Sequence, residues 1–385
     1  MARATFEVAD VIDRFSEQLL AEAPVSLDQK RVMHALTACR TAQLGGHVEA
    51  CDHCDYRRIA YNSCRNRHCP KCQGTRQAKW LDDRAKDLLP VEYFHVVFTV
   101  PEEIAAIVLQ NKRVLYGILF RASSETLQTI AADERHLGAE IGFVSVLHTW
   151  SQDLRHHPHV HCVVPGGGLS ADGSWVACRP GFFLPVRVLS KMYRGRFVAL
   201  LRAAFECGEL GFHGKLAALR DPDCFAQCLD RAMATPWVVY SKAPFGGPEQ
   251  VLKYLARYTH RVAIGNSRIL GIDDASVTFR VRDRAQDGRH RTMTLPGVEF
   301  LRRFLLHVLP KGLQRIRHYG LLANRRRAIN LALARLQVGA AMPISAVVGV
   351  TPFEPFDVSC PACGKGQLHR GPFTDVTMTL LLDSS

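Results

Sequence analysis

The stretch IGFVSVLHTWSQDLRHHPHVHCVVPGGG, residues 141–168, decides how the chain is read. IGFVSVLHTW (141–150) and HVHCVVPGG (159–167) are apolar and rich in β-branched residues, with a polar connection between them. That pattern predicts a hairpin of two buried strands. Five of the 17 histidines fall here: His148, His156, His157, His159 and His161. Strand side chains alternate, so His159 and His161 share one face while Val160 turns into the core. His148, on the preceding strand, comes opposite the pair when the hairpin closes, with Gln152 and Asp153 as competitors for a third position. Three nitrogens with open positions form the donor set of a catalytic metal, which polarises substrate oxygens. His156 and His157 precede Pro158 and are expected on the substrate side or in solvent. The bland alternative is a histidine-rich surface hairpin with fortuitous metal affinity.

Outward from this hairpin the periods alternate between strand and helix. YFHVVFTV (93–100) reads as a buried strand stopped by Pro101, and 102–133 as helix. Residues 186–210 are helical, TPWVVYSKAP (235–244) is a short strand, and EQVLKYLARYTHRVA (249–263) is a helix. In SVTFRVRDR, Val277, Phe279 and Val281 face one way and Thr278, Arg280 and Arg282 the other. Asp287-Gly288 marks the turn of a second hairpin. At the N-terminus, Val8, Val11, Ile12, Phe15 and Leu19 form one helical stripe, and Asp28 is placed to cap a second helix. QAKWLDDRAKDLL (77–89) is a charged amphipathic helix ending at Pro90.

Composition narrows the class of protein. The chain has 385 residues, 47% hydrophobic and 22% charged, which is globular and excludes wholesale disorder. No apolar run approaches the ~18–20 residues of a membrane span. Glu7, Asp10 and Asp13 stand where a signal peptide needs an apolar core. A soluble cytoplasmic protein without a membrane partner is expected. Lys plus Arg number 49 against 36 Asp plus Glu, a net +13 that points to a polyanionic partner. Residues 301–353 hold no acidic residue and nine Lys or Arg.

The 13 cysteines cluster as metal ligands do. CDHC (51–54) and CPKC (69–72) are two CxxC knuckles, so Cys51, Cys54, Cys69 and Cys72 are expected to share one structural Zn²⁺ in a ribbon-like site. Cys64, His68, His47 and His53 are nearby and compete as ligands. Arg57, Arg58, Arg65, Arg67, Lys71 and Arg76 stud this region and suit phosphate contacts. CPAC (360–363), with His369 downstream, is open between half of a site completed elsewhere and two free thiols.

Tyr254 and Tyr258 are i,i+4 on the helix VLKYLARYTHR, so both hydroxyls project from one face. Phenols titrate near pH ~10, so a tyrosine nucleophile needs positive charge or a base beside it. Lys253, Arg257, His260 and Arg261 supply candidates. Taken alone, two helical tyrosines are usually packing residues.

Together, HPHVHCVVPGGG, YLARYTHR and SCRNRHCPKCQ resemble the two-tyrosine HUH transposases, more narrowly the rolling-circle transposases of the insertion-sequence ninety-one family. WVVYSKAPFGGPEQVLKYLARYTHRVA and FLRRFLLHVLPKGLQRIRHYG are similar to that family too. The resemblance spans about Gly45 to Leu321. It implies an α+β fold, an HUH-endonuclease-like central antiparallel sheet with flanking helices. A small helical and zinc-ribbon domain precedes the sheet and a basic helical region follows. The corresponding blocks are 1–90, 91–305 and 306–385.

The resemblance also implies roles. His159 and His161 match the HUH pair, and His148 fits the upstream third ligand of a Mg²⁺ or Mn²⁺ site. Tyr254 and Tyr258 match the nucleophiles that form 5′-phosphotyrosine links, with Arg257 and Arg261 beside them. Cys51, Cys54, Cys69 and Cys72 match the zinc knuckles. Arg65, Arg67, Lys71, Arg280, Arg282, Arg325, Arg326 and Arg327 are the expected DNA contacts. The partners implied are single-stranded DNA at transposon ends and target DNA, in the bacterial nucleoid. The chain has no GxxxxGK[ST] sequence, so a host helicase and replication machinery are expected to unwind and copy. The same chemistry would serve a replication initiator or relaxase. A non-catalytic zinc-dependent DNA-binding protein and a small-molecule metallohydrolase are the rivals from other classes.

Overall fold

The computed structural model describes residues 4–242, 250–251, 262–282, 289–339 and 359–371. In chain order its elements begin with α1 (Val8–Glu22), α2 (Leu27–Thr37), β1 (Gly46–Cys51), β2 (Arg57–Tyr61), α3 (Gln73–Ala85) and β3 (Tyr93–Thr99). There follow α4 (Glu102–Gln110), α5 (Lys112–Ala132), β4 (Gly142–Trp150), β5 (His156–Pro165), β6 (Gly167–Leu169) and β7 (Trp175–Ala177). Then come α6 (Val186–Glu206), α7 (Pro222–Ala234), β8 (Val239–Lys242), β9 (Ile269–Ile272), β10 (Ser276–Arg282) and β11 (His290–Pro296). The last are α8 (Gly297–Leu306), β12 (Ile316–Gly320), α9 (Arg327–Gln337) and β13 (Leu368–Gly371).

These elements form two units, and neither is continuous in sequence. One unit takes the described parts of Met1–Lys79, Ile264–Arg302 and Thr351–Ser385. The other takes those of Trp80–Ala263 and Arg303–Val350. The contiguous blocks expected at 1–90, 91–305 and 306–385 are therefore not the observed units. Period-2 patterning identifies a strand but does not name the edge it joins.

In the first unit, α1 buries Val8, Val11, Ile12, Phe15 and Leu19, the predicted stripe. Ser26, rather than Asp28, caps α2. Its hydroxyl accepts from the Gln29 amide at 3.3 Å, and the Gln29 side chain accepts from the Ser26 amide at 2.9 Å. This reciprocal box satisfies two amides at once, which a lone Asp28 in the first turn does not. Two three-stranded antiparallel sheets follow, in orders β13–β1–β2 and β11–β10–β9. Val277, Phe279 and Val281 are buried and Arg280 and Arg282 exposed, as the alternation requires. Gly297 opens α8 where a Cβ would lie 2.2 Å from the Phe15 ring, so only glycine allows that approach.

The second unit is built on a five-stranded antiparallel sheet, order β12–β4–β5–β3–β8. β3 and β4 run parallel on either side of β5, joined by a crossover through α4 and α5. One sheet face is apolar: Phe94, Val96 and Phe98 from β3, Phe143 and Leu147 from β4, Val160, Cys162 and Val164 from β5. It is covered by Leu115, Tyr116 and Leu119 of α5 and by Leu189, Tyr193, Phe197 and Leu201 of α6. The helix expected over 102–133 is broken at Asn111. The Asn111 side chain accepts from the Gly211 amide at 2.7 Å and donates to the Gly211 carbonyl at 2.9 Å, so a long-range bond overrides local helix continuity. β12, inside the block expected to be helical, pairs with β4 from Ile316↔Val146 to Gly320↔Gly142 and extends the sheet.

His307 is buried within this unit, 3% exposed. Its Nε2–H donates to the Leu154 carbonyl at 3.0 Å, and its Nδ1 accepts from the Thr149 hydroxyl at 3.1 Å. Both bonds fit the neutral ring. Burial, chiefly, pushes its pKa down to about 4. In the unfolded chain an imidazole titrates near ~6.5, so between ~6.5 and ~4 the unfolded state binds a proton that the fold excludes. Stability from this group is full above ~6.5 and falls as pH drops through that window, by roughly 3 kcal/mol in all. His156, pushed by burial to about 3, acts in the same direction. The urea midpoint of the zinc-loaded protein is expected to fall steadily from about pH 7 to about pH 5. A midpoint unchanged over that range would contradict the neutral buried assignment.

Candidate functional site

The sheet face opposite the apolar core carries the histidines. β4 and β5 pair so that His148 stands directly across from His159, and Val146 across from His161. All three imidazoles are buried, at 3%, 8% and 8% exposure. Each offers one ring nitrogen within 4.8 Å of the others. Ring centroids are 4.5 Å apart for His148–His161, 4.8 Å for His159–His161 and 5.5 Å for His148–His159. Three imidazoles converging at one place suit a divalent cation with positions left for substrate oxygens. Nδ1 of His159 lies 2.7 Å from the His157 carbonyl. A carbonyl only accepts, so the proton sits on Nδ1 and Nε2 keeps its lone pair for a metal.

His95, a residue the sequence reading did not single out, completes the face. Its Nε2 is 2.8 Å from Nδ1 of His161, and the rings stack at 5.0 Å. Burial, and secondarily Lys242, pushes its pKa down to about 3, so the ring is neutral near pH ~7. The His95–His161 contact is diagonal across β3 and β5, where His95 faces Val163 and His161 faces Val97. Its one signal in the sequence is parity, since His95 falls on the same face of its strand as Tyr93 and Val97. His157 is exposed as expected. His156 is not on the substrate side: its Nε2 is 3.0 Å from the Tyr116 hydroxyl on α5, because it shares strand parity with Val160 and so falls on the core face. Asp153 does not join the histidine group; it is 2.6 Å from Arg155.

Tyr254, Arg257, Tyr258 and Arg261 lie outside the described residues. Val251, three positions before Tyr254, is fully buried in a cluster with Leu88, Tyr93 and Val163. Tyr93 and Val163 belong to the histidine-bearing face, so Val251 packs on that face.

The cysteines regroup relative to expectation. Cys51 and Cys54 do not join Cys69 and Cys72. Instead Cys69 and Cys72 meet Cys39 and Cys64, with the four sulfurs within 4.8 Å of one another. Cys51 and Cys54 meet Cys360 and Cys363. The reason is the β1–β2 hairpin. Cys51 and Cys54 sit at its tip, whereas Cys39 and Cys64 flank its base. A strand of about five residues at ~3.3 Å each separates the two ends by about 17 Å, too far for one ion. In the base cluster, Sγ–Sγ distances are 3.5 Å for Cys39–Cys72, 3.6 Å for Cys64–Cys72 and 3.6 Å for Cys39–Cys69. A tetrahedron with ~2.3 Å Zn–S bonds has ~3.8 Å edges, so the donor set fits Zn²⁺. His47, His53 and His68 belong to neither cluster. Cys39, a lone cysteine at the end of α2, gave no spacing signal.

The basic residues differ in ion pairing and in exposure. Lys71 is 2.7 Å from Glu7, and Arg327 is 3.7 Å from Asp87. Arg65, Arg280, Arg282, Arg325 and Arg326 are exposed, and Arg67 is half-buried. Arg65 holds a left-handed backbone, φ 52, in the cysteine loop, a conformation costly for a non-glycine residue and fixed here by the closed cluster around it.

A family model described as "Transposase zinc-binding domain" matches residues 11–100, and one described as "Putative transposase" matches 142–329. The chain is 54% identical over 380 residues to "Putative transposase y4qJ" of Sinorhizobium fredii, covering 96% of this chain and 95% of that protein. It is 26% identical over 313 residues to "Transposase for insertion sequence element IS801" of Pseudomonas savastanoi pv. phaseolicola, covering 80% of this chain and 73% of that protein. No solved structure matches.

Proposed function

The chain belongs to the insertion-sequence ninety-one family of transposases, with a zinc-binding domain and DNA as substrate, and on that premise we propose that it nicks and rejoins single-stranded DNA at transposon ends through Tyr254 and Tyr258. The observation that carries this reading is the buried group His148, His159 and His161 on the sheet face against which Val251, three positions before Tyr254, packs.

His148, His159 and His161 would hold one divalent cation, Mn²⁺ or Mg²⁺, which supplies charge compensation for the non-bridging phosphate oxygens. All-nitrogen ligation favours Mn²⁺ in vitro. The phenolic oxygen of one tyrosine forms a bond to phosphorus in line with the departing 3′-oxygen. The bond to that oxygen breaks, leaving a 5′-phosphotyrosine and a free 3′-OH, and the reverse attack rejoins the strand. Arg257 and Arg261 follow Tyr254 and Tyr258 at three positions in sequence and would favour the phenolate. The second tyrosine cuts a second end while the first holds its own. The released 3′-OH primes replication by host enzymes, with unwinding by a host helicase, in a rolling-circle scheme. Arg65, Arg67, Arg280, Arg282, Arg325 and Arg326 contact phosphates, while Lys71 and Arg327 chiefly hold Glu7 and Asp87.

The test is to incubate the full chain with Mn²⁺ and labelled single-stranded DNA carrying an end of its own element. A denaturing gel then shows whether label migrates with the protein. A covalent band supports the reading. DNA binding without a band on the correct end favours a non-catalytic zinc-dependent DNA-binding protein.

His95 has a positioning role in this scheme. Nδ1–H of His161 donates to Nε2 of His95, which leaves Nε2 of His161 for the cation. Replacing His95 by Phe is expected to weaken Mn²⁺ binding by about 10–100-fold, read by titration calorimetry, with bound zinc unchanged. Unaltered Mn²⁺ affinity would remove His95 from the scheme.

A further inference from the structure

The tip of the β1–β2 hairpin meets a knuckle from the far end of the chain. Cys54 and Cys360 have sulfurs 3.7 Å apart, and Cys51 and Cys363 have sulfurs 3.8 Å apart, across 306 and 312 positions of sequence. All four sulfurs lie within 4.8 Å of one another. A disulfide needs ~2.0 Å, so these are not bonded pairs. The separations equal the ~3.8 Å edge of a Zn²⁺–thiolate tetrahedron.

The backbone is shaped around the sulfurs. The His53 amide donates to Sγ of Cys51 at 3.3 Å, and the Gly366 amide to Sγ of Cys363 at 3.4 Å. Such N–H···S bonds offset thiolate charge. A Cβ at Gly366 would fall 2.5 Å from Sγ of Cys51, so glycine is required for the approach. Around the cluster, β13 pairs with β1 from Val48↔Gly371 to Cys51↔Leu368. The Asp52 amide donates to the Gln367 carbonyl at 3.1 Å, and the Asp52 carboxylate accepts from the Gln367 amide at 2.8 Å. Cys360 is 1% exposed. Neither matching family model extends to 360–363.

We propose that Cys51, Cys54, Cys360 and Cys363 hold a second structural Zn²⁺, separate from the ion of Cys39, Cys64, Cys69 and Cys72. Four thiolates leave no open position, so the site holds backbone rather than performing chemistry. It fastens β13 to β1 and closes a loop of the whole intervening chain. It also sets Arg370 on a cleft lined by Arg40, Arg58, Arg65 and Lys71, in register with Glu49. The proposal stands independently of the cleavage reading.

The test uses the full chain with Co²⁺ in place of Zn²⁺. Thiolate-to-Co²⁺ charge-transfer absorption counts cysteine sites and is blind to the histidine group. Two four-thiolate sites are expected, with the intensity halved in the Cys360→Ser/Cys363→Ser double variant and faster hydrogen exchange at 368–371. Should that variant not fold, wild-type protein still decides. With metal bound, Cys51, Cys54, Cys360 and Cys363 are expected to resist N-ethylmaleimide relative to the exposed Cys207, and to react once a chelator is added. One-site intensity in the wild type, unchanged intensity in the variant, labelling as fast as Cys207, a disulfide among the four, or iron in the purified protein would each overturn the proposal.

Discussion

Replacing His161 by Ala is expected to lower strand cleavage by about 10³-fold at fixed Mn²⁺. His161 is the middle of the histidine group, with centroids 4.5 Å from His148 and 4.8 Å from His159. Its loss leaves two nitrogens, too few to fix a cation against the scissile phosphate. Charge compensation by a bound metal is worth several kcal/mol in the transition state, and about 4 kcal/mol corresponds to ~10³ in rate. The sheet tolerates the change, since alanine fits between Val97 and Val146 on the neighbouring strands. Binding to single-stranded DNA, followed by fluorescence anisotropy, is expected to persist, because the exposed arginines are elsewhere in the chain. His157→Ala is the contrast: its ring is exposed and outside the three-histidine group, and the variant keeps the carbonyl that accepts from His159, so cleavage is expected near the wild-type rate. Cleavage by His161→Ala within about tenfold of wild type would exclude a metal at this group as the source of the rate.

The histidine face was legible because a single strand encodes it. Period two places His159 and His161 together, and a short hairpin brings His148 across. His95 was not, because its contact with His161 joins residues 66 positions apart through the sheet. The cysteines show the same limit. Spacing identified metal ligands but grouped neighbours in sequence. The β1–β2 hairpin holds those neighbours at opposite ends and recruits Cys39 to one cluster and Cys360 and Cys363 to the other. The strands 276–296 were read correctly as a hairpin with Val277, Phe279 and Val281 inward, whereas the third strand 269–272 and the unit they belong to were not foreseeable from local pattern. At α2 and Asn111, capping and long-range hydrogen bonding overrode the simplest helical reading. Charge counts say less than the fold about which cations are already paired. Lys71 and Arg327 counted toward a basic surface in the sequence, but each has a carboxylate partner in the fold.

Replacing both Tyr254 and Tyr258 by Phe is expected to abolish the covalent protein–DNA adduct and to lower cleavage by at least ~10⁴-fold, since phenylalanine offers no oxygen to attack phosphorus. Each single variant is expected to retain adduct formation at one end and to lose coordinated cleavage at two. The other tyrosines bound the alternatives. Tyr93, Tyr116 and Tyr193 are buried, and burial pushes their phenols up, away from ionisation near neutrality. Tyr240 is different. It is 53% exposed on β8 and in register with Val97, which itself faces His161 on β5. It therefore shares the histidine face at two strand spacings, roughly 10 Å from His161. Its backbone is two strands away from His161, whereas Val251, three positions before Tyr254, packs against Tyr93 and Val163 of the same face. An adduct that survives the double replacement and disappears on Tyr240→Phe would move the nucleophile to β8. An adduct lost in the double variant and kept in Tyr240→Phe would place it on Tyr254 and Tyr258, and the single variants would then order their use.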